Sequence, residues 1–275
     1  MSADITRPRS LKSSTNREFK PNPDLNSLPK ISATSYALGI FAGISATLVF
    51  HPYIASIHAR ALPTYAVFIS LFHFLEYYIT ATYQPARVTD DSFVLDNPGY
   101  KIAHTVALIE YLVELYFIPN LKSNSTLQYV SLIGLIIVFI SQLIRTLAMR
   151  TAGMNFSHLI KNHKEDHHQL VTHGVYAIFR HPSYFGFFYW ALGTQILLLN
   201  PVSFILFAFL LHDFFGSRIP YEEYHLIKFF GNDYLQYRTK SYIAIPFINP
   251  SKNHQQMKMA EIKRKEQQEQ QSAAN

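Results

Sequence analysis

The sequence has no cysteine among its 275 residues. That excludes disulfide staples, thiolate-bound zinc, iron–sulfur clusters and a thiol nucleophile. Glycine is scarce, at 10 residues, and no Gly-x-Gly pair occurs. A dinucleotide-binding turn and a Walker phosphate loop are therefore missing, as is a Gly-x-Ser-x-Gly elbow. A nucleotide-like ligand would have to be held by something other than a glycine-rich turn. Charge is sparse too: Asp, Glu, Lys and Arg make up 15%, against about 25% in an ordinary soluble domain.

What is present is apolar and aromatic. Hydrophobic residues reach 49%, with 22 Phe and 18 Tyr. The mean hydropathy is only +0.05, because polar ends offset an apolar middle. Residues 1–30 hold six Lys and Arg against three Asp and Glu, and residues 251–275 hold five against three. A basic excess in tails, rather than on one face of a folded module, argues against nucleic-acid binding and for cytosolic segments flanking membrane spans. Residues 1–30 carry four prolines and no apolar signal-peptide core, so they read as a polar cytosolic arm rather than a cleaved leader.

Between the tails, Ser32–Phe50, Ala61–Tyr83, Ile102–Pro119 and Leu127–Ile144 each approach the roughly 20 residues that cross a bilayer. Pro182–Leu211 then runs 30 residues without a charge or a histidine, broken by Asn200-Pro201. This predicts a helical hairpin with arms Phe185–Leu199 and Val202–Phe215. The expected fold is all-α: a polytopic transmembrane helical bundle of about six spans including that C-terminal hairpin. Its expected parts are a cytosolic arm (1–30), spans one to four (31–144), a catalytic region with the membrane hairpin (145–248) and a polar cytosolic tail (249–275). Six spans place both termini on one side of the lipid bilayer. With both inside, the inner loops carry Arg87, Lys101, Arg145, Arg150, Lys161, Lys164 and Arg180, and the outer loops only Arg60 and Lys122, as the positive-inside rule requires. Glu76, Glu110 and Glu114 fall inside spans, where a carboxylate is costly. Glu110 and Glu114 share a helix face and are expected to point inward, paired with polar groups or facing a cavity.

Five of the 13 histidines lie in His158–His173. His163-x-x-x-His167-His168 resembles one box of the membrane di-iron enzymes, and imidazole suits iron. Such a site needs several boxes and no second one occurs, so no metal is expected. The densest constellation is Gly174-x-Tyr176-x-x-x-Arg180-His181-Pro182-Ser183-Tyr184-x-Gly186. It is followed by Arg218-x-x-x-Glu222-Glu223, then Phe229-Phe230-Gly231-x-x-Tyr234-x-x-Tyr237. In this order and spacing, over about 155–248, the sequence resembles the isoprenylcysteine carboxyl methyltransferases, integral enzymes of the endoplasmic reticulum.

The resemblance implies methyl transfer from S-adenosylmethionine to the C-terminal α-carboxylate of a prenylated cysteine, in CaaX-processed proteins such as Ras-like GTPases or in prenylated peptides. It implies a cofactor on the cytosolic side against Lys161, His168, Gln169, Leu170, Val171, Tyr176, His181, Pro182, Ser183, Tyr184 and Glu222. Arg218 matches the arginine that meets the substrate carboxylate, and Arg218 and Glu222 are the expected catalytic pair. Pro220 between them suggests that a helix starts nearby. Two other readings compete. The Arg-His-Pro-x-Tyr-x-Gly block also occurs in sterol-type membrane reductases that use NADPH, and a prenyl-tail binder without activity would share the spans.

Overall fold

The computed structural model describes residues 27–51, 57–85, 88–165 and 168–248. The predicted arm up to residue 26 and the predicted tail from 249 lie outside them, as do Arg87 and His167. The described residues form helices and short 3-10 turns, with one isolated parallel bridge between Phe179 and Tyr242.

Helix α1 (Leu28–Phe50) begins where the Ser27 side chain accepts from the Lys30 amide and Pro29 pre-sets the first turn; it ends at an extended His51. Helix α2 spans Ile57–Tyr83. Helix α3 (Pro98–Phe117) starts on the Asn97-Pro98 signal, with Asn97 Oδ1 accepting from the Tyr100 amide. A short α4 (Pro119–Ser123) leads to α5 (Ser125–Ala152), which Asn124 caps. The hairpin is α6 (Pro182–Leu198) and α7 (Pro201–Phe230), followed by α8 (Asn232–Lys240).

The hairpin differs from expectation in its second arm. Helix α7 does not stop at Phe215, where the polar residues begin, but continues 15 residues to Phe230. Its apolar stripe persists through Phe215, Ile219 and Pro220, all buried, so a helical face is still packed after the mean composition turns polar. Pro220 therefore lies inside a helix, and no helix starts beside it. Arg218 and Glu222 sit one turn apart on a continuous rod.

Helix α6 is the centre of the molecule, with 12 of its 17 residues buried. Helix α5 lies closest against it, because glycine removes side chains at the crossing. A Cβ on Gly134 would fall 2.3 Å from the Leu197 amide nitrogen, and one on Gly186 2.7 Å from Arg145 Cβ. Phe72 from α2, Trp190 from α6, and Phe215 and Ile219 from α7 fill the core, with the Phe72 and Trp190 rings stacked at 4.5 Å.

The hairpin tip is held by charge. Lys122 Nζ donates to the carbonyls of Leu198 (2.7 Å) and Leu199 (2.8 Å) and to Asn200 Oδ1 (3.0 Å), and pairs with Glu114 at 2.6 Å. Glu110 accepts from the first free amides of α7, those of Val202 (2.8 Å) and Ser203 (2.6 Å). A cation thus meets the carboxyl end of α6 and an anion the amino end of α7, as the helix dipoles favour. The inward pairing expected of Glu110 and Glu114 is what the fold shows. Lys122 itself is fully buried and is not an outer-loop charge.

Ile40, Phe41 and Ile44 on α1, Ile109, Leu112 and Val113 on α3, Ile133, Ile136 and Phe139 on α5, and Ile205 and Phe209 on α7 are exposed. Apolar side chains on the outside of helices face lipid rather than water. Among the described residues, three helices are each long and apolar enough to cross a membrane: Leu28–Phe50, Ser125–Asn155 and Pro201–Phe230. The chain is a multi-pass, membrane-embedded helical protein.

Candidate active site

At one end of the bundle the chain leaves α5 and returns as α6, and the polar lobe between them packs on the far half of α7. Three devices shape it. Asn155 Oδ1 accepts from the Gln169 amide at 2.9 Å and pins the stretch after His168. The Tyr237 hydroxyl donates to the Tyr176 carbonyl at 2.7 Å. The bridge between 178–180 and Tyr242 adds two backbone hydrogen bonds of 2.9 Å each. Burial raises both phenols, that of Tyr237 to about 12. Each therefore stays neutral at physiological pH, and Tyr237 keeps its donor proton.

These elements enclose a cleft with about 660 Å³ of empty space, part of it open to solvent. His168, Gln169, Leu170, Val171, Tyr176, His181, Pro182, Ser183, Tyr184 and Glu222 all line it. Lys161 does not: its Nζ pairs with Glu165 at 2.6 Å. Arg218 stands next to the lining. Its Nε donates to the Tyr184 hydroxyl at 2.9 Å, its guanidinium lies 5.4 Å from the Tyr184 ring centre, and Nη2 donates to the His158 carbonyl. The same Tyr184 hydroxyl donates to Glu222 Oε2 at 2.5 Å. Arg218, Tyr184 and Glu222 therefore form one hydrogen-bonded chain. The His181 ring stacks parallel on Tyr184, 5.5 Å away.

Sequence reasoning left several participants without a role. Asn155, Phe156, Phe230 and Tyr234 also line the cleft. Phe230 and Tyr234 belong to the motif after Glu223, which is the signal that marks them. Arg180 is not a free inner-side charge: its Nε pairs with Glu223 at 2.6 Å and its Nη1 donates to the Ser241 carbonyl at 2.7 Å. His181 Nε2 (3.3 Å) and Arg238 (3.3 Å) also reach Glu223. Arg145, counted as a loop cation, is buried in a forked pair with Glu76 at 2.6 and 2.8 Å. The described histidines of the 158–173 stretch build no metal box. His158 binds Glu76 at 2.8 Å, His168 packs edge-on to Phe229 and Phe230, and no three ligand-type side chains converge among the described residues.

The donor set suits S-adenosylmethionine. Glu222 offers a carboxylate to an ammonium or to ribose hydroxyls, and Tyr184 and Phe230 offer aromatic faces to a cation or a base. Leu170, Val171 and Leu226 give the cleft an apolar wall. The buried Tyr234 hydroxyl, in the lining, has no hydrogen-bond partner among the described residues, and a buried polar group in that state calls for one.

The family model for "Isoprenylcysteine carboxyl methyltransferase (ICMT) family" matches residues 132–228. The protein-S-isoprenylcysteine O-methyltransferase of Saccharomyces cerevisiae is 46% identical over 232 residues, covering 82% of this chain and 95% of that protein. This chain belongs to the isoprenylcysteine carboxyl methyltransferase family. The Arabidopsis thaliana protein-S-isoprenylcysteine O-methyltransferase A is 44% identical over 69% of this chain and 95% of its own. A solved structure of the eukaryotic intramembrane Ras methyltransferase ICMT superposes with a TM-score of 0.74 at 38% identity, covering 80% of this chain and 77% of that one. As a member of the isoprenylcysteine carboxyl methyltransferase family, the protein is an S-adenosylmethionine-dependent enzyme. It methylates the C-terminal carboxylate of CaaX-processed prenylcysteine. Family membership sets aside the NADPH-dependent reductase and the inactive prenyl-tail binder.

Proposed function

We propose that the reaction runs in this cleft, with Arg218 and Glu222 as its two catalytic residues. The reading rests chiefly on the Arg218–Tyr184–Glu222 chain, which joins a cation suited to a carboxylate to the acidic end of a cleft suited to S-adenosylmethionine. His168, Gln169, Leu170, Val171, Tyr176, His181, Pro182, Ser183, Tyr184 and Glu222 hold the cofactor. Lys161 would join them only by leaving Glu165. When bound, the cofactor supplies an electrophilic methyl group on a sulfonium.

The substrate carboxylate is already ionised at pH 7, so no side chain has to act as a general base. What the chain must supply is alignment. Arg218 holds one carboxylate oxygen by a charge-assisted hydrogen bond and leaves the other free to attack. Tyr184 holds the Arg218 Nε with its hydroxyl oxygen and Glu222 with its proton, so the two ends of the site cannot drift independently. His181, stacked on the Tyr184 ring, keeps that ring in plane. The prenyl chain enters laterally from the bilayer, where it is already out of water, so packing and shape rather than hydrophobic transfer seat it.

The chain is read as crossing the membrane of the endoplasmic reticulum six times, with α6 and α7 as the last two spans and both termini cytosolic. Residues 145–248 form the catalytic region with the membrane hairpin, between spans one to four (31–144) and the polar tail. Its substrates include prenylated Ras-like GTPases. The test is transfer of labelled methyl from S-adenosylmethionine to N-acetyl farnesylcysteine and its geranylgeranyl analogue by the purified full chain. Base-labile incorporation is expected, as for a methyl ester, and is lost in Arg218→Ala and Glu222→Ala variants that still bind lipid and melt cooperatively. Undiminished turnover in both variants would refute the assignment.

A further inference from the structure

Glu76 on α2, Arg145 on α5 and His158 after α5 lie outside the cleft lining. Yet they are joined to both sides of it. Glu76 is 1% exposed, and Arg145 Nε and Nη2 fork onto its carboxylate. The Arg145 guanidinium carbon lies 5.3 Å from the ring centres of both Phe72 and Phe187. Its remaining nitrogen, Nη1, donates to Ser183 Oγ at 3.0 Å and to the Ser183 carbonyl at 3.1 Å. That is one arm, ending in the cleft wall. In the other arm, His158 Nε2 donates to Glu76 Oε2 at 2.8 Å, and the His158 carbonyl receives Arg218 Nη2.

We infer that Glu76, Arg145 and His158 form a positioning relay, in which one buried carboxylate sets both Ser183 in the cofactor wall and Arg218 at the substrate carboxylate. The inference rests on the roles proposed above for Ser183 and Arg218. Any buried guanidinium needs partners for all its donors, so what points beyond stability is where these partners lie. Here each arm ends on a different half of the site. The arms should therefore separate by ligand: His158 acts on the prenylcysteine and Arg145 on the cofactor.

The test is equilibrium binding by the full chain in lipid nanodiscs, measured separately for S-adenosylmethionine and N-acetyl farnesylcysteine. His158→Leu should weaken prenylcysteine binding about tenfold, the size of one lost charge-assisted hydrogen bond, and leave cofactor binding unchanged. Arg145→Lys keeps the charge facing Glu76 but loses the fork, and should do the reverse. In an Arg218→Ala background, His158→Leu should have no further effect, because its target is gone. Equal losses for both ligands, full additivity with Arg218→Ala, or unchanged binding in His158→Leu would each overturn the relay. Should Arg145→Lys fail to fold, His158→Leu, at a half-buried loop position, still decides the question. The underlying reading fails separately: if Arg218→Ala alone leaves prenylcysteine binding intact, the carboxylate assignment is wrong whatever His158 does.

Discussion

Tyr184 carries more of the site than a single aromatic side chain usually does. Its hydroxyl accepts from Arg218 and donates to Glu222, while its ring stacks on His181. Tyr184→Phe keeps the ring and removes both hydrogen bonds. It should lower kcat/KM about tenfold to a hundredfold, with the melting temperature little changed. Steady-state kinetics with both substrates varied would check this. Arg218→Lys keeps the charge but cannot donate at once to Tyr184, the His158 carbonyl and a carboxylate in the planar geometry of a guanidinium. It should lose about a hundredfold in kcat/KM rather than behave as a conservative change. At this scale the sequence was informative about residue type. It singled out Arg218, Glu222 and most of the residues that line the cleft, whereas the structure set Arg218 and Glu222 one turn apart on α7. It could not assign Arg145, Arg180 and Lys122, because an unpaired and a buried cation look alike in one dimension. Only the carboxylates of Glu76, Glu223 and Glu114, brought close by folding, distinguish them.

Helix α7 and its turn from α6 make the element scale visible. The turn was legible from Asn200-Pro201, and the full length of α7 was not. A window average falls once Arg218, Glu222 and Glu223 enter it, whereas the buried stripe through Phe215, Ile219 and Glu223 runs on. The tip of the hairpin depends on Lys122, which satisfies the α6 carbonyls and the Glu114 carboxylate. Lys122→Met would leave an anion and several acceptors buried without their donor. It should cost about 3–5 kcal/mol of stability, read as a large loss of melting temperature in nanodiscs. Gly134→Ala tests the packing of α5 on α6. A Cβ there meets backbone atoms of Ile196 and Leu197 at 2.3–2.8 Å, and backbone cannot rotate away. The expected cost is about 3 kcal/mol, the upper part of the overpacking range, with methyl transfer lost in proportion to the folded fraction.

For the whole molecule, orientation can be tested because the chain has no cysteine, so each engineered thiol is unique. Gln236 on α8 and Ser123 on α4 are exposed and lie toward the cleft end and the hairpin-tip end. In sealed microsomes, a membrane-impermeant maleimide should label Gln236→Cys directly and Ser123→Cys only after permeabilisation. The opposite pattern would invert the proposed topology. Removing the ion-paired Arg145, Arg180 and Lys122 from the loop charges leaves the inside bias intact, so the expectation does not depend on the residues that folding reassigns.

By itself the sequence determined the helical class, the membrane setting, the hairpin turn and the motif residues of the cleft. These follow from run lengths, breakers and local spacing, which survive reduction to one dimension. The tertiary structure decided which charges are partners, how far α7 runs, and how the stretch after α8 returns to pair with 178–180. Glu76 and Arg145 are 69 residues apart in the chain and His181 and Glu223 are 42 apart. No local pattern encodes such pairs. They form because a buried charge must find its complement wherever the packed helices bring one within reach.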